Sequence, residues 1–149
     1  MKIEEEIKQE KFSSQHQKAV INLIYTANWL VSRQQDFFKP HNITGQQFNI
    51  LRILKGQHPK TISATEIKAR MLDKNSDVSR LLDRLVAKNL IIKKACPNDR
   101  RAADVSITEE GLTLLKTIDK QQADIDHILS LSETEAKQLS DLLDKSRGS

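Results

Sequence analysis

Residues 75–111 read NSDVSRLLDRLVAKNLIIKKACPNDRRAADVSITEEG, and this stretch decides the fold because it joins an amphipathic helix to a basic-tipped hairpin. Val78, Leu81, Leu82 and Leu85 recur at i, i+3, i+4 and i+7, the spacing of one buried helical stripe. Ser76, Ser79, Arg80 and Arg84 are left for the opposite face, and Asn75 or Ser76 is suited to cap the helix start. Asn89 suits a left-handed C-cap. Beyond it, residues 90–96 and 102–107 have strand character, with Val105 and Ile107 alternating with Asp104 and Ser106. The turn between them, Pro97-Asn98-Asp99-Arg100-Arg101, ends in two guanidinium groups that a narrow minor groove would attract.

Charge follows the same boundaries. From Lys74 to Arg101, eight cations (Lys74, Arg80, Arg84, Lys88, Lys93, Lys94, Arg100, Arg101) outnumber three carboxylates (Asp77, Asp83, Asp99). That surplus of five exceeds the +4 of the whole chain. Residues 44–73 add a surplus of three, whereas residues 109–149 carry a deficit of four. A chain basic in the middle and acidic at the end is expected where only the middle meets phosphate.

Working outward, capping-box patterns at Thr44/Gln47, Ser63/Glu66 and Ser132/Glu135 each precede an apolar periodic run. The expected order is a long helix over 5–38, helices over 44–56, 64–71 and 75–89, a hairpin over 90–107, then helices over 109–129 and 132–146. Helices 64–71 and 75–88, joined by a short turn, match a helix-turn-helix. With the hairpin as its wing, and Thr61-Ile62 placed to add a short third strand, the region 44–107 reads as a winged helix-turn-helix. The fold class expected is mainly α with a small β-hairpin wing, in one domain over 1–149. Residues 5–40 and 109–146 carry separate apolar stripes, among them Val20, Leu23, Ile24, Ala27, Leu30 and Val31, and are read as dimerisation helices. A two-fold homodimer would set two recognition helices about 34 Å apart on a palindromic site.

Composition closes off other classes. The chain has 149 residues, 38% of them hydrophobic and only 4% aromatic, which favours helices over an all-β fold. No apolar run is long enough for a membrane span, and the charged opening MKIEEEIKQEK lacks the apolar core of a signal peptide, so a cytoplasmic location is expected. A single cysteine agrees with a reducing compartment. His16, His41, His58 and His127 show no ligand spacing, so neither a metal nor a cofactor is expected. No Gly-rich phosphate loop, nucleophile elbow or paired-carboxylate arrangement marks an enzyme.

The segments SRLLDRLVAKNLI and PNDRRAADVSITEEG resemble the MarR (multiple antibiotic resistance regulator) family of bacterial transcription regulators, over residues 5–146 in element order. Asp99-Arg100-Arg101 is similar to the family's Asp-x-Arg wing signature, and it is followed by the Ile-Thr-x-x-Gly start of the next helix. The resemblance implies that Arg101 enters the minor groove or its phosphate rim and that Asp99 holds the wing; Arg100 could equally be the inserted residue. Asn89 stands where the family usually has Gly, and both satisfy a left-handed cap.

By chemistry, Ser76, Ser79 and Arg80 are the major-groove candidates, Arg80 being able to bond guanine bidentately. Arg84 is assigned to a phosphate or to bracing Asp99, and Lys74, Asn75 and Ser63 or Thr65 to phosphates at helix starts. The function expected is a sequence-specific regulator of double-stranded DNA, a homodimeric repressor released by a small aromatic or anionic effector, as the family resemblance implies. Trp29, Phe37, Phe38, His41, Phe48 and Arg52 lie on elements able to line an effector cleft, although aromatics at such spacings ordinarily form core. Two alternatives are a winged-helix protein-interaction module without DNA and a redox-switched regulator using Cys96, whose neighbours Lys93 and Lys94 would lower a thiol pKa.

Overall fold

A computed structural model describes residues 1–96 and 99–148, with the side chains of residues 96–102 outside the description. The side-chain roles expected of Asp99, Arg100 and Arg101, and the redox reading of Cys96, therefore lie outside the description, while the backbone of Asp99, Arg100 and Arg101, expected in the turn, belongs to the strand Asp99–Ile107. The chain forms two compact units, Met1–Leu115 and Lys116–Ser149.

In the first unit, α1 (Ile3–Glu6) and α2 (Gln15–Phe38) are followed by a 3-10 turn at Lys39–His41 and by α3 (Gly45–Gln57). Strand β1 (Ile62–Ser63), helices α4 (Ala64–Arg70) and α5 (Val78–Ala87), and strands β2 (Ile91–Cys96) and β3 (Asp99–Ile107) complete the winged region. Helix α6 (Glu109–Asp119) crosses the unit boundary; α7 (Gln122–Asp126) and α8 (Glu133–Ser146) follow in the second unit. The three strands make an antiparallel sheet in the order β1-β3-β2. Ile62 pairs with Val105, and Ile91 with Ile107. The mainly α architecture with a small sheet is as the sequence implies, and the short third strand falls on Ile62–Ser63, one residue later than the expected Thr61-Ile62.

Alternation along β3 has the expected consequence: Ala103, Val105 and Ile107 are buried, while Asp104 and Ser106 are half-buried. The sheet's apolar face joins Ile50, Leu51 and Leu54 of α3, Ile67 of α4 and Leu82 and Leu85 of α5 in the core. Helix α5 ends in a Schellman arrangement, with Asn89 at φ 60 and the Leu90 N–H donating to the Leu85 carbonyl at 3.1 Å. Thr44/Gln47 and Ser132/Glu135 form complete capping boxes. At Ser63/Glu66 the hydroxyl accepts from the Glu66 N–H.

Three expectations need correction. The long first helix is broken between Glu6 and Gln15, because Lys8 takes a left-handed φ of 53 and Ser14 starts a new helix by accepting from the Gln17 N–H at 3.0 Å. The span 109–129 is also two helices, α6 and α7, divided where Gln121 and Gln122 interrupt the apolar pattern. Helix α5 starts at Val78, and its cap is neither Asn75 nor Ser76 but Asp77, whose carboxylate accepts from the Arg80 N–H at 3.2 Å. Asp77→Ala is expected to destabilise the chain by about 1 kcal/mol. Urea unfolding measures this; an unchanged midpoint would show that the cap contributes nothing.

Candidate nucleic-acid interface

Helix α5 presents the polar face expected of it. Val78, Leu81, Leu82 and Leu85 are buried, and Ser79, Arg80, Asp83 and Arg84 are exposed. Ser76 is the exception: it is 5% exposed, and its hydroxyl donates to the Asp73 carbonyl at 2.8 Å. The residue faces inward because it belongs to the turn before the helix, which corrects its assignment to the outer face and removes it from the groove-reading set.

That turn is tied down from α3. The Gln46 amide donates to the Asp73 carboxylate and to the Ser76 hydroxyl, each at 3.3 Å. The Leu72 N–H donates to Asn49 Oδ1 at 2.9 Å, and the Asn75 N–H to Asp73 Oδ1 at 2.9 Å. Exposed Asn75 and Lys74 thus stand on a fixed loop, with the Lys74 ammonium resting on the Ala69 carbonyl. Ser63 is half-buried as the α4 cap, and Thr65 beside it is exposed. Within the described residues, the wing joins α5 through an ion pair between Lys93 and Asp83 at 3.3 Å.

Behind the helix, the corner between wing and α6 is compact. The Thr108 hydroxyl donates to the Asn89 carbonyl at 2.7 Å, and the Thr108 N–H to the Leu90 carbonyl at 3.1 Å. The Gly111 N–H donates back to the Thr108 hydroxyl at 3.1 Å. A Cβ on Gly111 would lie 2.5 Å from the Leu90 carbonyl oxygen, so the Ile-Thr-x-x-Gly motif encodes a close backbone approach.

The chain is similar along most of its length to proteins of known class. The family description "MarR family" matches residues 41–102. The transcriptional regulator MhqR of Bacillus subtilis is 34% identical over 107 residues, covering 69% of this chain and 71% of MhqR. The protein belongs to the MarR family. Among solved structures, a MarR transcription factor from Planctomyces limnophilus is 27% identical, covers 93% of this chain and 100% of its own, and has a TM-score of 0.70. A cysteine-to-serine variant of MarR from E. coli, complexed with operator DNA, is 27% identical with a TM-score of 0.71, covering 84% of this chain and 91% of that one. This MarR-family chain is a DNA-binding transcription regulator, and its relatives are regulators rather than enzymes.

The aromatic residues considered for an effector cleft divide. Phe38 is 1% exposed and stacks on Phe48 with ring centroids 4.6 Å apart, while Phe37 meets Phe38 edge-on at 5.2 Å. Phe38 fills core with the half-buried Phe37 and Phe48 against it, and the Arg52 guanidinium covers Phe48 at 5.4 Å. His41 lies 6.1 Å from Phe37, and Trp29 lies under Arg33 at 5.6 Å, away from that cluster in sequence. A cavity of about 660 Å³ opens instead among polar groups, including Asp36, Lys39, Asn42, Gln47, Arg84 and Lys88. Sequence periodicity could not single out this set, because its members come from two stretches remote in sequence, 36–47 and 84–88.

Among the described residues, no group of three or more His, Cys, Asp or Glu side chains is placed to hold a metal ion. Among them too, no helix is long and apolar enough to cross a membrane.

Proposed function

We propose that this regulator acts as a homodimeric repressor of palindromic operators, with α5 in the major groove and the wing beside the minor groove. The observation that carries the reading is the division of α5 into a buried apolar stripe and an exposed face bearing Ser79, Arg80 and Arg84. Arg80 and Ser79 are assigned to base edges and Arg84 to a phosphate. Lys74, Asn75 and Thr65 serve phosphates, with Ser63 contributing at the α4 start; Arg100 and Arg101 at the wing, positioned by Asp99, complete the set.

Self-association is supported by α2, on which Val20, Leu23, Ile24 and Val31 follow one face and remain 57%, 49%, 58% and 52% exposed. Four large apolar side chains in a row on one helix face are costly to leave in water. A second copy covers them, with α2 (within residues 5–40) and the helices within residues 109–146 acting as dimerisation elements. Release by a small aromatic or anionic molecule is the accompanying regulatory reading, and the cations around the 660 Å³ cavity suit an anion.

Selection from random duplex DNA, followed by binding titrations over a range of salt concentrations, tests this reading. The expected outcome is an enriched palindrome bound by a dimer, with log affinity falling linearly against log salt at about 0.9 per phosphate neutralised. Absence of any enriched sequence, or binding by a monomer in analytical sedimentation, overturns it.

A further inference from the structure

Lys88, at the end of α5, turns away from the face expected to meet DNA. Its ammonium donates to the Asn42 carbonyl and to Gln47 Oε1, the latter at 3.4 Å. Gln47 is 2% exposed, and the same Oε1 accepts from the Thr44 N–H at 3.0 Å as part of the α3 capping box. Asn42, at φ 56, ends the 3-10 turn that follows α2 directly. One ammonium therefore ties three places together: the end of the recognition helix, the cap of α3 and the stop of α2. The start of the recognition helix is held differently, by Gln46 and Asn49 of α3 and by the Lys74 contact with the Ala69 carbonyl of α4.

This difference matters for a dimer. If α2 carries the self-association face, the distance between two recognition helices depends on how each α5 is held relative to its own α2. We propose that Lys88 is a positioning residue that sets the spacing between half-sites, by latching the end of α5 to the α2–α3 junction. The inference rests on the dimeric DNA-binding reading above. Both acceptors are neutral and directional, so the latch fixes a position rather than merely attracting charge. A shift of one base pair moves a half-site by about 3.4 Å and turns it by about 36°, displacements that a held helix cannot follow.

Lys88→Met keeps much of the aliphatic stem and removes the donors, and Lys88→Arg keeps a donor. The parent and both variants are titrated against the parent-selected palindrome and against versions with the half-sites moved one base pair closer or further apart. The parent is expected to lose about tenfold or more on either shifted duplex, comparable with the effect of a mismatched base pair. Lys88→Met is expected to lose less than about threefold, and Lys88→Arg to restore the discrimination. Lys88→Gln, shorter but still a donor, provides an independent second disruption of the latch. Affinity for random DNA and the salt slope should stay unchanged. Spacing discrimination equal to the parent's in both disrupted variants overturns the proposal. So does a uniform loss on every duplex with the salt slope reduced by about one, which would make Lys88 a phosphate contact. A parent that binds a palindrome without regard to spacing overturns this inference while leaving DNA binding intact, and a parent that selects no sequence removes the underlying reading.

Discussion

Arg80→Ala is expected to lower affinity for the selected operator by about thirtyfold or more, while affinity for random DNA falls far less. A bidentate guanidinium–guanine pair discriminates by about 1–3 kcal/mol, and the proposed dimer would make the contact twice. Arg80 is placed for this by its own backbone, because its N–H is taken up by the Asp77 cap and its exposed side chain leaves the first turn of α5. Arg84, one turn later, borders the polar cavity, and its removal should act more evenly across sequences. Fluorescence anisotropy on selected and random duplexes at one salt concentration separates the two. Equal losses for Arg80→Ala on both duplexes would reassign Arg80 to the phosphate backbone.

The second large effect concerns stability. Gly111→Ala would place a methyl 2.5 Å from the Leu90 carbonyl oxygen and 2.6 Å from Ile107 Cγ1, distances at which backbone has to move. Overpacking of this kind costs about 1–3 kcal/mol. For a chain of this size that corresponds to a fall in melting temperature of about 2–12 °C. The Thr108 bonds to Asn89 and Leu90 resist relaxation, since they hold the same corner from the other side. Scanning calorimetry gives the answer, and a melting temperature equal to the parent's would show that the corner yields freely.

These residues show how far the sequence could be read. The α5 stripe was legible because burial repeats with the helical period, and β3 because it alternates. Asn89 was legible because few residues accept a left-handed backbone, and the chain places one where the helix must stop. Ser76 was misplaced because the helical wheel was extended two residues past the true cap, where Asp77 competes successfully for the first free N–H groups. The break before α2 was hidden because Lys8 carries no turn signature of its own. Lys88 was legible only as one of the cations of the basic middle, since nothing local reports an acceptor 46 residues away in sequence. Motif and period reveal contacts within an element; the latches that place one element against another come from side chains whose partners are remote.

The short α1 has a practical consequence for anyone trimming this protein for crystallisation. Ile3 is buried, Glu4 pairs with Lys18, and Tyr25 donates to Glu6 at 2.6 Å, so the opening residues clasp α2 near Tyr25 and Trp29. On a helical wheel this side lies opposite Val20, Leu23, Ile24 and Val31. A shortened target beginning at the Ser14 cap would look tidy on paper, yet it would bare aromatic surface on the back of a helix whose front is already apolar. Such a rod invites stacking without end rather than a closed pair. The first six residues are best kept in any expression plasmid.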